Sequence, residues 1–169
     1  STNLFLVPHN LFNQWKTYIN THTNLDSHFI STKKDFAPVE KNMEEYHALM
    51  GEMKILMNEA KTDESKLVML EEKFIQCENR LKVISENKVY LVSSKMWNYF
   101  SEKWSQCVNR KVSRIFIDEV HSIVLPNSIR VKTNFIWFIT SSLKDLSNHR
   151  NMGFIRDTID SFWNLGKSY

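Results

Sequence analysis

The sequence predicts an α/β protein: a parallel sheet covered by helices on both faces, with a long helical hairpin inserted into it. Three observations carry this reading. Runs of continuous apolar character, such as "NLFLV", "VYLV" and "RIFI", alternate with segments of helical periodicity. That alternation builds βαβ units, and strands apolar on both sides are buried on both faces. Heptad-spaced apolar residues interrupt the alternation between residues 40 and 88. Hydrophobic residues make up 42% of the 169, enough for a substantial core in one domain or in part of a larger protein.

Taken in order, "NLFLV" (Asn3–Val7) is a short buried strand, and Pro8 ends it because proline cannot donate to a ladder. "NLFNQWKTYI" follows as a helix with Leu11, Trp15, Tyr18 and Ile19 at helical spacing and Asn10 as its cap. "SHFIST" is a weaker strand, and "KDFAPVEKN" breaks the pattern at Pro38. Met43, Tyr46, Met50, Met53, Met57 and Ala60 then form a heptad seam. Leu67, Leu70, Phe74, Cys77, Leu81 and Ile84 repeat it in a shifted register, with Thr62 or Asp63 as a cap between. Two helices folded back on each other fit this pattern, and one continuous helix with a register slip is the alternative. The methionines are core filler rather than a cofactor box.

The α/β pattern resumes with a strand at Lys88–Ser94 and a helix placing Met96, Phe100, Trp104 and Cys107 on one face. Strands follow at "SRIFID" and at Asn134–Ser142. A closing amphipathic helix aligns Ile155, Ile159 and Phe162. The expected organisation is residues 1–39 and 89–169 as one sheet lobe, with 40–88 inserted between them.

Charged residues make up 24%, and the net charge is +3 with a pI near 8.8. Such mild basicity permits contact with nucleic acid without requiring it. Cys77 and Cys107 lack metal-ligand spacing, and free thiols suit a reducing, intracellular setting. No apolar run is long enough to span a bilayer, so no membrane partner is expected. The opening "STNLFLVPHN" has neither an initiator methionine nor the basic start of a signal peptide, and reads as a chain entered in the middle.

In parallel sheets, ligands bind beyond the carboxyl ends of the strands. Four polar clusters fall at such ends: Pro8-His9, Ser93-Ser94, Asp118-Glu119 with His121, and Thr140-Ser141-Ser142. Each alone reads as a helix cap or a strand end. Four on one rim read as a site.

In their order these residues resemble the first RecA-like lobe of superfamily 2 (DExH, SNF2-like) helicases. "IFIDEVH" is similar to motif II of that family, and "FIWFITSS" to motif III. "NLFLVPHNLFNQWKTYI" is similar to motif Ia, and "VYLVSSKMW" to the Ib strand. Val7 and Asp118 lie 111 residues apart, and excising residues 40–88 leaves a compact 62. The wording "DEVHSIVLPNS…FIWFITSS" looks most like the helicases of large cytoplasmic DNA viruses, which implies a host cytoplasm, viral factory or virion setting.

The resemblance implies an ATP-dependent, DNA-dependent motor. ATP hydrolysis needs a cation bridging two phosphates and a group that orients the attacking water. By the resemblance, Asp118 holds Mg²⁺ through water, Glu119 is the base, and His121 couples to Thr140, Ser141 and Ser142 of motif III. Pro8, His9, Ser93 and Ser94 touch the phosphates of the tracking DNA strand. The departures are a missing glycine-rich phosphate loop and a missing second lobe. "LGKSY" carries Gly166-Lys167-Ser168 but lacks the preceding glycine and a strand leading into it. The stretch as given is therefore expected not to hydrolyse ATP by itself. The other reading is a non-catalytic, helicase-like module in which the hairpin docks a protein, such as a viral transcription factor subunit. An unrelated Rossmann-like enzyme fits less well, for want of a glycine-rich loop after any strand.

Overall fold

The computed structural model describes residues 1–146 and 153–165, apart from the side chains of Leu143 and residues 162–165. Its centre is a parallel sheet of five strands in the order β2-β3-β1-β4-β5, counted among the described residues. The strands are β1 (Thr2–Val7), β2 (Asp26–Ile30), β3 (Lys88–Ser93), β4 (Val112–Ile117) and β5 (Thr133–Phe138). Val7 is level with Ser93 across β1 and β3, and Leu6 with Ile117 across β1 and β4. All strands point the same way, so every carboxyl end lies on one rim.

Side chains alternate across the strands, and helices cover both faces of the central strands, while edge strand β5 leaves Phe135 and Trp137 exposed, against the expectation that its apolar run is buried on both sides. Leu4, Leu6, Tyr90, Val92, Ile115 and Ile117 point to one face. There they meet helices α2 (Lys33–Glu59), α4 (Ser94–Lys103) and α6 (Phe154–Leu165). On the other face, Val7 and Leu91 receive Phe12 and Ile19 of α1 (Phe12–His22). The protein is thus α/β with helices on both faces. A one-turn helix, α5 (Leu143–Leu146), follows β5. Phe162 lies among the side chains left undescribed.

The hairpin consists of α2 and α3 (Leu67–Ser85). It is also the crossover joining β2 to its parallel neighbour β3, a connection that geometry requires to be long. Its base belongs to the main core: Phe36, Val39, Met43 and Tyr46 are buried with the sheet.

Five local expectations are corrected. Pro38 does not end a segment but lies inside α2, which starts at Lys33. The cause is a capping box: Thr32 accepts from the Asp35 N–H at 3.2 Å, and the Asp35 carboxylate accepts from the Thr32 N–H at 2.9 Å. Nucleated there, the helix runs through the proline. Lys34, whose carbonyl loses its partner, is exposed like Pro38 itself, so water can take that carbonyl. Asn10 is not a cap; it sits in a 3₁₀ turn, His9–Leu11, that leads into α1. In that helix the buried residues are Phe12 and Ile19, while Tyr18 is exposed. A π turn at Trp104–Val108 buries Val108 and leaves Cys107 half-buried. Finally, β5 ends at Phe138, so Thr140 to Ser142 form a loop.

Candidate functional site

The rim is assembled by the sheet order. Placing β1 between β3 and β4 sets Pro8-His9 next to Ser93-Ser94 on one side and Asp118-Glu119 on the other. β5 lies beside β4 and delivers Thr140 and its neighbours to the same rim. Backbone bonds lock these loops: Asp118 N–H donates to the Leu6 carbonyl at 3.0 Å, Ile139 N–H to Ile117 at 2.9 Å, and Val120 N–H to Ile139 at 3.1 Å.

Glu119 adopts a left-handed backbone, φ 46° and ψ 46°. For a residue with a Cβ this costs on the order of 1–2 kcal/mol. It accompanies a side chain turned back toward β5, where Ser141 Oγ donates to the Glu119 carboxylate at 3.1 Å. His121 Nδ1 lies 3.2 Å from the same carboxylate oxygen and 2.7 Å from Thr140 Oγ1. The Thr140 hydroxyl donates to the Ser142 carbonyl at 3.2 Å and accepts from the Ser142 N–H at 3.0 Å. Its proton is thereby used, so it accepts from His121 Nδ1–H. The imidazole is then held with Nε2 as its remaining nitrogen. Asp118, Glu119 and His121 are all half-buried, reachable from solvent but oriented by neighbours.

Asp118 has a partner that motif reading did not assign. The Trp15 indole N–H donates to Asp118 Oδ2 at 2.7 Å. Trp15 is held in place by aromatic neighbours, Phe5 at 5.7 Å and Tyr18 at 6.3 Å between ring centroids. No local pattern announces this bond, because 103 residues separate the two side chains. With Leu11, Gln14, Tyr18 and Glu119 they line an open cleft of about 480 Å³, in the size range of small-molecule sites. Gln14 and Trp15 thus face the acids.

The third cluster is joined as well: His9 Nδ1 and Ser93 Oγ lie 2.9 Å apart. Ser93 is fully buried, and its hydroxyl also accepts from the Lys95 N–H at the start of α4. Pro8 is buried too. Of the four residues expected at nucleic acid, His9 and Ser94 remain reachable from outside. Gly166, Lys167 and Ser168 lie outside the described residues.

Among the described residues no three His, Cys, Asp or Glu side chains cluster tightly enough to cage a metal ion. Asp118 can offer one carboxylate to a hydrated hard cation, which fits Mg²⁺ held mainly by water and phosphate oxygens. Chemically, the rim offers two carboxylates, an oriented imidazole and a hydroxyl loop beside an aromatic wall. Among the described residues no helix is long and apolar enough to cross a membrane. No known family model matches the chain, and no curated protein matches it significantly in sequence.

Proposed function

We propose that these residues form the motif II and III side of the first lobe of an ATP-dependent, SNF2-like DNA translocase or helicase. The observation that carries the reading is the bonded chain from Glu119 through His121 to Thr140, with Ser141 returning to Glu119. Such a chain ties the acids beyond β4 to the loop beyond β5, so a change at one is felt at the other. In this reading Asp118 holds Mg²⁺ through water, and the ion supplies charge neutralisation for the β- and γ-phosphates. Glu119 accepts the proton of the attacking water. His121 reports the state of that carboxylate to Thr140. Trp15 orients Asp118 by binding one of its two oxygens. His9 and Ser94 are the groups available to DNA phosphates, with Ser93 holding His9 in place.

The sequence carries no complete glycine-rich phosphate loop, so the chain alone is expected not to turn over ATP. The test is DNA-stimulated ATP hydrolysis by the complete gene product, beside Asp118→Ala with Glu119→Ala. A loss of at least about 100-fold in kcat in the double variant, with retained folding, supports the reading. An intact protein that binds neither ATP nor DNA, or a double variant of unchanged activity, removes it.

A further inference from the structure

The hairpin has two unlike flanks. On one, α2 carries Glu45, Glu52 and Glu59 at seven-residue spacing, and the α3 side carries Arg80, Lys73 and Lys66 at the same spacing. All three pairs are closed, at 2.7 Å for Glu45–Arg80, 2.5 Å for Glu52–Lys73 and 3.7 Å for Glu59–Lys66. Two residues turn a helix by about 200°, so moving two along α2 and two back along α3 reaches the opposite flank at the same level. There Lys54 faces Glu71 and His47 faces Glu78, while Lys61 and Glu64 lie past the helix ends in the turn, where Lys61 Nζ also donates to Asn58 Oδ1 at 3.2 Å. None of these pairs is closed.

Between the unpaired charges the seam lies open. A groove of about 580 Å³ is lined by Met53, Met57, Leu70, Phe74 and Ile75, with Glu71 as its one polar wall. Seam residues are half exposed, Met57 at 49% and Phe74 at 52%. Val68 and Ile75 lie outside the seam on α3, facing this flank, and stand at 65% and 57%. A two-helix seam closed on one side by ion pairs and left apolar on the other is half of a larger bundle.

We propose that the open flank is an interface between two copies of this chain, which pack their hairpins into an up-down-up-down four-helix bundle. The argument for a second copy is self-complementary charge. With a two-fold axis along the hairpin, residues keep their levels, and α2 of one copy faces α3 of the other. Lys54 and Lys61 then meet the partner's Glu71 and Glu64, and the reciprocal contacts follow by symmetry. The alternative axis, which sets α2 against α2, juxtaposes lysines and is disfavoured. Phe74, Ile75 and Met57 of both copies fill the centre.

The experiment is sedimentation equilibrium of the whole chain from micromolar to high-micromolar concentration. The wild type is expected to dimerise. Lys54→Glu with Lys61→Glu, and separately Glu64→Lys with Glu71→Lys, are each expected to raise the dimer dissociation constant about tenfold or more, since the facing charges become alike. Mixed together, the two variants are expected to form a heterodimer, because each then presents the charge that the other lacks. Ile75→Arg, an exposed position, provides an independent block, and circular dichroism checks that every variant is folded. A monomeric wild type overturns the proposal, including the case where a different protein covers the flank. So does a dimer indifferent to both charge sets, or a mixture that fails to pair.

Discussion

The base and the tip of the hairpin share one heptad and differ in everything that follows from it. At the base, Met43 and Tyr46 are buried in the main core, in one cluster with residues of the sheet and of α4. Toward the tip, Met57 and Phe74 occupy equivalent seam positions and stay about half exposed. Periodicity selects helix and pairing in both places. Burial needs a third layer, and only the base has one. The base is also tied polarly: Glu40 accepts from Tyr99 at 2.7 Å and pairs with Lys103 at 2.8 Å, joining α2 to α4. The tip is closed by exposed ion pairs on one flank alone.

This contrast can be broken by measurement, the largest effect first. Met43→Ala is expected to cost roughly 2–5 kcal/mol in urea unfolding, and Met57→Ala less than about 1, because only the first leaves a cavity. Equal losses would mean that the tip is covered in solution, as the four-helix bundle requires, so the pair is best measured below the dimerisation range. Next, Thr32→Ala removes the capping box and is expected to cost about 1 kcal/mol. A loss within error would show that α2 starts without its cap, past Pro38.

The Glu40–Lys103 tie gives a pH signature. Burial pushes the Glu40 carboxyl up, but hydrogen bonds from Lys103 and Tyr99 outweigh it and hold the group below its ordinary value. A depressed carboxyl adds stability that is present above its unfolded value and lost as pH falls through its folded value. Lys103 is held above its ordinary value by Glu40 and Glu44, so its share is lost only far on the alkaline side. Acid should therefore loosen the base by up to about 1 kcal/mol, and Glu40→Gln should flatten that part of the stability curve. The smallest effect is Lys73→Met on the closed flank, expected within about 0.5 kcal/mol and shrinking in salt. Hydrogen exchange sharpens the same contrast: amides of residues 51–60 should exchange faster than those of residues 39–46.

The rim teaches a related lesson about what a sequence shows. "RIFIDEVH" announced a strand followed by acids, since apolar runs and strand-end polarity are local facts. The meeting of His121 with Thr140 was implied only by the resemblance to motifs II and III, not by any local pattern. Trp15 could not be assigned to Asp118 that way, since its helix only needs to bury one side somewhere. Its indole finds the carboxylate because β1 happens to lie beside β4. The resemblance puts Ser93 at the phosphates of a DNA strand, but the register of β1 and β3 buries it against His9.

By itself the sequence determined that strands and helices alternate in a parallel α/β order, and that a heptad-spaced helical stretch interrupts them between residues 40 and 88. Those follow from periodicity and apolar content, which act over a few residues at a time. Only the tertiary structure decided the strand order, the left-handed turn at Glu119, and which flank of the hairpin stays open. Each of these depends on groups far apart in the chain competing for the same partner or the same space, and no local pattern records the outcome.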